Sequence, residues 1–198
     1  TIWQNNIIAL EYTQTENEVY RFFLTSSEIV VPLLFPFVML MFFPLILPKL
    51  AGWKVLPPGP ELTLLEKTAN DNHFKYNKIY LASNPGLVTA GVIGIFPRAT
   101  NILFTKDIFN LLNEKEIEAV MLHEIGHSKY RHIVFYIFFL LLIESIILII
   151  LTSFSLNSED YIYIYIALLV FSIRFGWGWL SRQCERQADL NAAEVQGT

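Results

Sequence analysis

Residues 133–156 restrict the fold of this chain more than any other part of its sequence. They form a run of 24 residues in which Glu144 is the only charged side chain. About 20 apolar residues in a helix are enough to cross the hydrocarbon core of a bilayer, where a helix satisfies its backbone hydrogen bonds internally. A buried core helix is the alternative, but this run is longer and more aliphatic than such helices usually are. We therefore predict a membrane helix.

Two further segments are long and apolar enough to span a bilayer. Residues 29–48 have no charge, although their prolines would kink a helix, and residues 161–180 have aromatic side chains at both ends. The second segment begins with YIYIYI, which alternates like a strand, but its total length favours a helix. Buried core helices are again the alternative. Because the chain is 54% hydrophobic, more than an ordinary soluble domain, we predict a polytopic membrane protein with about three transmembrane helices.

The distribution of positive charge predicts how these helices are oriented. Ten of the 14 lysines and arginines lie in residues 49–132 and two in residues 181–198, whereas residues 1–28 hold one and residues 157–160 none. Cytoplasmic loops are the ones enriched in Lys and Arg. We therefore expect 49–132 and 181–198 to be cytoplasmic and the other two segments to be external, in the bacterial inner membrane or an equivalent membrane.

The segment between the first two predicted spans has the pattern of a small α+β unit. After the turn sequence LPPGP we predict a helix over residues 61–70 and two strands, KIYLAS (78–83) and NILFT (Asn101–Thr105). Asn113 with Glu116 three residues later is a capping-box pattern, so a helix is expected to begin there and can continue unbroken into the next span. The predicted fold class is mainly α with a small α+β part.

That helix contains the sequence VMLHEIGHSKYRH, in which His123 and His127 are four residues apart. Residues at i and i+4 lie on one helical face, so both imidazoles can bind one ion. Glu124 is placed beside such an ion rather than on it, where it can take a proton from metal-activated water and pass it to a leaving amine. Zinc suits nitrogen and oxygen ligands, and we expect one Zn²⁺ per chain. The alternative is a solvated polar helix face.

A catalytic zinc needs a third protein ligand, and the sequence SRQCERQADLNAAE offers one after the last predicted span. Glu185 and Asp189 are again four residues apart. Glu185 is a candidate third ligand, and Asp189 is a candidate hydrogen-bond acceptor for the other ring N–H of a ligand histidine. A solvated carboxylate pair is the alternative for these two residues taken alone. The predicted hairpin of two spans would bring them to the same side of the membrane as His123 and His127.

Four other polar residues near the spans have a predicted role. Glu144 needs a partner because an isolated carboxylate in lipid is unfavourable, and Arg174 on the next span is the expected one. Cys184 is rotated about 100° from the neighbouring ligand candidate on a helix and is expected to be an inert thiol. His132 either orients the metal site from the membrane edge or is a solvated or interfacial residue.

The sequences AVMLHEIGHSKYRH and SRQCERQAD, separated by two predicted spans, resemble the membrane zinc metallopeptidases of the HtpX and CAAX prenyl endopeptidase type, the gluzincins of peptidase family M48. The resemblance covers about residues 56–196. It implies a zincin-like catalytic part with Glu124 as catalytic base and His123, His127 and Glu185 as the metal ligands. Because the family extends past Asp189 and this chain begins with Thr1, we expect it to be part of a longer protein.

The resemblance also implies a place where substrate binds. In this family an edge strand before the active helix docks the substrate backbone, and the corresponding run here is VTAGVIGIFPR. Thr89, Ala90 and Gly91 are therefore candidate substrate-binding residues. Thr89 stands where an asparagine is usual in the family, so this run departs from the family pattern at that position.

Together these observations predict a membrane-integrated, zinc-dependent endopeptidase that cleaves membrane-associated or misfolded proteins. A net charge of −4 gives no general attraction to nucleic acid, so the expected partners are a polypeptide and the lipid bilayer; the sequence leaves the oligomeric state open. The alternatives are a membrane sensor or regulator with a gluzincin-like domain, a protease that processes prenylated tails, and a non-enzymatic membrane scaffold.

Overall fold

The computed structural model describes residues 35, 38–39, 42–83, 86–97, 99–154 and 158–197. The chain forms two compact units, Thr1–Met39 and Leu40–Thr198. In the first unit the three described residues are helical, and in the second unit residues 42–50 are helical as well. The predicted external segment 1–28 and most of the predicted span 29–48 lie outside the described residues.

The second unit contains a four-stranded mixed sheet. Its strand order is β1-β2-β4-β3, with β2 and β4 parallel and the other two pairs antiparallel. The strands are β1 (Lys54–Val55), β2 (Lys78–Ala82), β3 (Ala90–Ile93) and β4 (Asn101–Thr105). The predicted strands at β2 and β4 are confirmed, and the pattern analysis missed β1. Among the described residues β3 pairs only with β4, so no described strand covers its other edge.

The other regular elements of this unit are helices. The prediction of a mainly α fold with a small α+β part is therefore confirmed. A π-helical turn, Ile173–Trp177, joins the last two helices. The helices are α1 (Pro60–Asp71), α2 (Lys106–Leu111), α3 (Glu114–Lys129), α4 (His132–Ser153), α5 (Ser158–Ser172) and α6 (Gly178–Gln196).

Helices α1 and α3 pack on the sheet through one apolar core. Side chains from α1, from the strands β2 and β4 and from α3 are removed from solvent together, which supplies most of the favourable free energy of packing. The fully buried members are Leu65, Ala69, Ile102, Phe104 and Met121. This core fixes α3 relative to the sheet, and therefore relative to the edge strand β3.

Helix α3 begins as the sequence predicts but ends earlier than it allows. The Asn113 side chain accepts from the Glu116 N–H, and the Glu116 carboxylate accepts from the Asn113 N–H, so the capping box is confirmed. The sequence allows an unbroken helix into the membrane span, but the helix is interrupted, because Arg131 adopts a left-handed conformation with φ of 54°. A non-glycine residue in this region breaks the helix, and α4 begins afresh at His132.

Two helical segments in the described part of the chain are long and apolar enough to cross a membrane. They are His132–Ser153, with a mean hydropathy of 3.0, and Asp160–Gln196, in which α5, the π-helical turn and α6 are continuous. Large apolar side chains on α4 are exposed, for example Phe138 and Ile149, as expected for a surface that contacts lipid.

The intramembrane carboxylate has a different partner from the expected one. The Tyr165 hydroxyl on α5 lies 3.2 and 3.3 Å from the two carboxylate oxygens of Glu144 and donates to them. Arg174 instead lies over the Phe175 ring, with its guanidinium carbon 5.9 Å from the ring centroid. The pairing of Glu144 with Arg174 is therefore not observed among the described residues. A tyrosine satisfies the carboxylate without adding a second charge in the span.

Candidate metal centre

Helix α3 presents two imidazoles to the same cleft. His123 and His127 lie one helical turn apart, with ring centroids 4.8 Å apart and Nε2 atoms 3.1 Å apart. Their spacing on the helix brings the rings together. In both rings the Nδ1 atom is engaged by another side chain, so the two Nε2 atoms are the ones that face each other.

Helix α6 supplies a carboxylate to the same point. The Glu185 Oε2 atom lies 3.3 Å from Nε2 of His123 and 3.6 Å from Nε2 of His127. One potential ligand atom from each of the three residues lies within 4.8 Å of the other two. Residues separated by about 60 positions in the sequence thus converge on one place.

A close contact between α3 and α6 produces this convergence. A Cβ atom added to Gly126 would lie 3.0 Å from the Ala188 Cα and 3.3 Å from the Asn191 Cβ. Asn191 is buried, and its Nδ2 donates to the Leu122 carbonyl at 3.0 Å. The glycine between the two histidines therefore lets α6 approach closely enough for Glu185 to reach the imidazoles.

Gly126→Ala is expected to destabilise the fold and weaken metal binding. The added methyl group would lie only 3.0 Å from the Ala188 Cα, so α6 must move away by a few tenths of an ångström. Overpacking of this kind costs about 1–3 kcal/mol. Thermal unfolding and zinc affinity of the purified full chain would measure both effects. Gly178→Ala is the matched control, because its Cβ would meet only the flexible end of Arg182, at 3.4 Å. An unchanged melting temperature in Gly126→Ala would contradict the packing argument.

Each histidine of the pair has a second partner through its other ring nitrogen. The His123 Nδ1 lies 2.9 Å from Oδ1 of Asp189. The His127 Nδ1 lies 2.8 Å from Nδ1 of His132, and the His132 Nε2 lies 3.0 Å from Oε1 of Gln187. Outer partners of this kind orient imidazole ligands and fix their tautomers.

The donor set fits zinc. Two imidazole nitrogens and one carboxylate oxygen from two helices match the three-ligand sites that leave a position open. Burial lowers the pKa of the His127 imidazole, the neighbouring His123 and His132 rings lower it further, and Glu185 acts in the opposite direction. His127 is therefore held in the neutral form, which is the form that binds metal.

Glu124 lies beside this group in a mostly buried position. Burial raises the pKa of its carboxyl group, and the nearby Glu185 raises it further, while His123 and a hydrogen bond from the Val92 N–H lower it. A carboxylate with a raised pKa is a better proton acceptor near neutral pH. The structure thus places the predicted base next to the predicted ligands and ties it to strand β3.

The cleft beside these residues has a volume of about 480 Å³, within the size range of ligand sites. Its walls come from β3, α3, the start of α4 and Glu185, and include Ala90, Gly91 and Val92. Thr89 is not among the lining residues; its carbonyl accepts from the Thr105 N–H, and its N–H donates to the Thr105 hydroxyl. Of the three residues suggested for substrate binding, Ala90 and Gly91 thus face the cleft.

Alternation along the strand separates the roles of these backbone groups. The Thr89 carbonyl pairs with β4, so the backbone N–H and C=O groups of Gly91 and Ile93 also point towards β4. The backbone groups of Ala90 and Val92 then point outward. The Val92 N–H reaches Glu124, in agreement with this assignment. The sequence reasoning missed Val92; a signal was available, since it lies two residues beyond Ala90 in the same run.

The described residues thus form an HExxH helix packed against a second helix that adds a carboxylate, beside an edge strand, an arrangement typical of zinc-dependent peptidases. The chain belongs to peptidase family M48, whose family model matches residues 63–197. The resemblance seen in the sequence is thereby confirmed.

A solved structure, the crystal structure of S. mikatae Ste24p, has the same fold. The TM-score is 0.69 at 22% sequence identity, over 88% of this chain and 48% of that one. The chain therefore spans about half the length of this solved relative. Among curated protein sequences no match was found.

Proposed function

We propose that this chain is the catalytic part of a membrane-integrated zinc endopeptidase. One observation supports this most directly: Nε2 of His123, Nε2 of His127 and a carboxylate oxygen of Glu185 converge within 4.8 Å, in a cleft that also holds Glu124. Membership of peptidase family M48 supports the same reaction class, the hydrolysis of peptide bonds.

The residues of the cleft divide the chemistry between them. His123, His127 and Glu185 would hold one Zn²⁺, and the bound ion would supply a Lewis acid that activates water and polarises the scissile carbonyl. Glu124 accepts the proton of the attacking water and transfers it to the nitrogen of the departing amine. Asp189 holds the His123 ring through Nδ1, so that its Nε2 faces the metal position.

Strand β3 is the proposed docking edge for the substrate backbone. Outward N–H and C=O groups of an edge strand can pair with an extended peptide, which lays the peptide along the strand. The backbone N–H and C=O of Ala90 are such groups. Those of Val92, beside Glu124, are the next such pair along the strand. A peptide bound along β3 would therefore pass the catalytic carboxylate.

The position of the cleft favours substrates at the membrane surface. Ile133, Val134 and Tyr136, from the first turns of the candidate membrane helix α4, line the cleft directly beside the metal-site residues. A polypeptide segment anchored in or bound to the bilayer would be held near this opening. The distribution of positive charge favours a cytoplasmic position for the cleft, and we propose membrane-associated or misfolded proteins as substrates.

Metal removal tests the proposal. Elemental analysis of the purified full chain in detergent should find about one zinc per chain, because the chain has one proposed three-ligand site. The same preparation should cleave casein. Dialysis against a chelator should abolish cleavage, and stoichiometric Zn²⁺ should restore it whereas Mg²⁺ should not, because Mg²⁺ prefers an octahedral oxygen shell. Folded protein that binds no zinc, or that cleaves equally well without metal, would contradict the proposal.

Ala90→Pro is expected to raise KM for a peptide substrate while leaving zinc content unchanged. Proline removes the outward N–H of Ala90 and is tolerated on an edge strand where that group faces away from the sheet. Losing one hydrogen bond to substrate corresponds to about 0.5–1.5 kcal/mol, or roughly a 2- to 12-fold change. Steady-state kinetics measures this, with Ala90→Val as the control that keeps the N–H. Equal KM values for the two variants would argue against docking at β3.

A further inference from the structure

His132 belongs to α4, yet its side chain is turned back onto the metal centre. It is only 2% exposed. Its ring meets the His127 ring edge to face, with centroids 4.9 Å apart, and its two nitrogens lie 2.8 Å from Nδ1 of His127 and 3.0 Å from Oε1 of Gln187. One buried side chain therefore joins a proposed ligand on α3 to a polar residue on α6.

The contact between His127 and His132 restricts the tautomers of both rings. One proton occupies the space between the two Nδ1 atoms. If His132 donated it, a neutral His127 would have its own proton on Nε2, the atom that faces His123 and Glu185. If His127 donates it, Nε2 of His127 keeps a free lone pair. Only the second arrangement allows His127 to bind a metal ion.

Gln187 is placed to stabilise the second arrangement. When His132 accepts through Nδ1, its own proton is on Nε2, and that N–H donates to the Gln187 Oε1 atom at 3.0 Å. In this arrangement His127 donates to His132, and His132 donates to Gln187. Carboxylates, carbonyls and water are the usual outer partners of ligand histidines, and Asp189 is such a partner for His123. An imidazole can accept a hydrogen bond from a ligand histidine in this way only if its own proton is on its other ring nitrogen.

We propose that His132, held by Gln187, is a positioning residue that keeps the His127 ring in the metal-binding tautomer and orientation. The proposal rests on the ligand set given under the proposed function. The left-handed residue Arg131 supports it structurally, since this break between α3 and α4 places His132 next to His127. The first residue of a candidate membrane helix thereby takes part in ordering the metal site.

Two substitutions at His132 test whether its ring positions His127 or only fills space in the core. His132→Phe keeps the ring volume but has no acceptor, and is expected to raise the Kd for Zn²⁺ by roughly 10- to 100-fold, as losses of outer partners do. His132→Asn offers Oδ1 where Nδ1 was and should recover most of that loss. Chelator competition measures the Kd on the full chain in detergent. Co²⁺ absorption should change in His132→Phe and return towards that of wild type in His132→Asn.

Gln187→Leu keeps the test decisive if substitutions at the buried His132 disturb folding. Gln187 is exposed, so its replacement should leave the melting temperature unchanged while still weakening Zn²⁺ binding. Gln183→Leu, exposed on the same helix, is the matched control. If the three side chains act as one unit, Gln187→Leu should add nothing in a His132→Phe background. Wild-type Zn²⁺ affinity and Co²⁺ spectra in both single variants would overturn the proposal.

His127→Ala distinguishes a failure of this inference from a failure of the proposed function. If His127→Ala loses Zn²⁺ binding while His132→Phe and Gln187→Leu retain wild-type affinity, the ligand set stands and only the positioning role is wrong. If His127→Ala itself binds Zn²⁺ as tightly as wild type, the ligand set is wrong, and the proposed function and this inference both fail.

Discussion

Glu124→Gln is expected to abolish peptide hydrolysis while leaving the zinc content of the protein unchanged. Glutamine has nearly the same shape and can still accept the hydrogen bond from the Val92 N–H, but it cannot take a proton from water. General-base catalysis contributes roughly 10²- to 10⁴-fold to a rate, so kcat should fall by that factor with little change in KM. Steady-state cleavage of casein or a quenched-fluorescent peptide, with elemental analysis of the same preparation, measures both quantities.

Glu118→Gln is the matched control for this substitution. It removes the same charge from the same helix, but Glu118 lines a separate depression near the end of α6 rather than the catalytic cleft. Its activity should equal that of wild type. Glu124→Gln with a rate near that of wild type would show that another group accepts the proton, and would remove Glu124 from the proposed mechanism.

Glu185→Ala is expected to lose bound zinc and activity together. Its carboxylate is the only group from α6 among the three potential ligands, and two histidines alone leave an incomplete catalytic site. The loss of affinity should exceed the roughly 10- to 100-fold effect of removing an outer partner. Elemental analysis and chelator competition would measure it, and the melting temperature without metal should stay close to that of wild type, because Glu185 is exposed.

Two further variants on α6 should lose less zinc affinity than Glu185→Ala does. Asp189→Ala removes the partner of the His123 Nδ1 and should weaken zinc binding by the smaller amount typical of outer partners. Gln183→Ala, exposed on the same helix, should have no effect. Zinc retained at full occupancy in Glu185→Ala, or a larger loss in Asp189→Ala than in Glu185→Ala, would mean that a different residue is the third ligand.

Features that depend on residues close together in the sequence could be predicted well. The helical spacing of His123 and His127 follows from 3.6 residues per turn, and the capping box at Asn113 involves residues three apart. The strands β2 and β4 are short runs of residues with high strand propensity. The long apolar run of α4 identifies a candidate membrane helix by length alone.

Features that depend on contacts between distant residues were predicted less well. The glycine-containing strand β3 has no clear strand pattern and was expected only from the family resemblance, because its place at the sheet edge is set by pairing with β4. Tyr165 rather than Arg174 meets Glu144 because the packing of α4 on α5 decides which side chains face each other. The break at Arg131 is also tertiary in origin, since the surrounding structure must compensate for its left-handed conformation.

The metal centre shows the same division. The sequence alone determined which residue types are present and that His123, Glu124 and His127 share one helix, because helix geometry is local. Only the tertiary structure brought Glu185 to the two imidazoles, through the contact of Gly126 with Ala188. It also gave His132 and Gln187 their place behind His127, because hydrogen bonds among three helices depend on packing that no local pattern encodes.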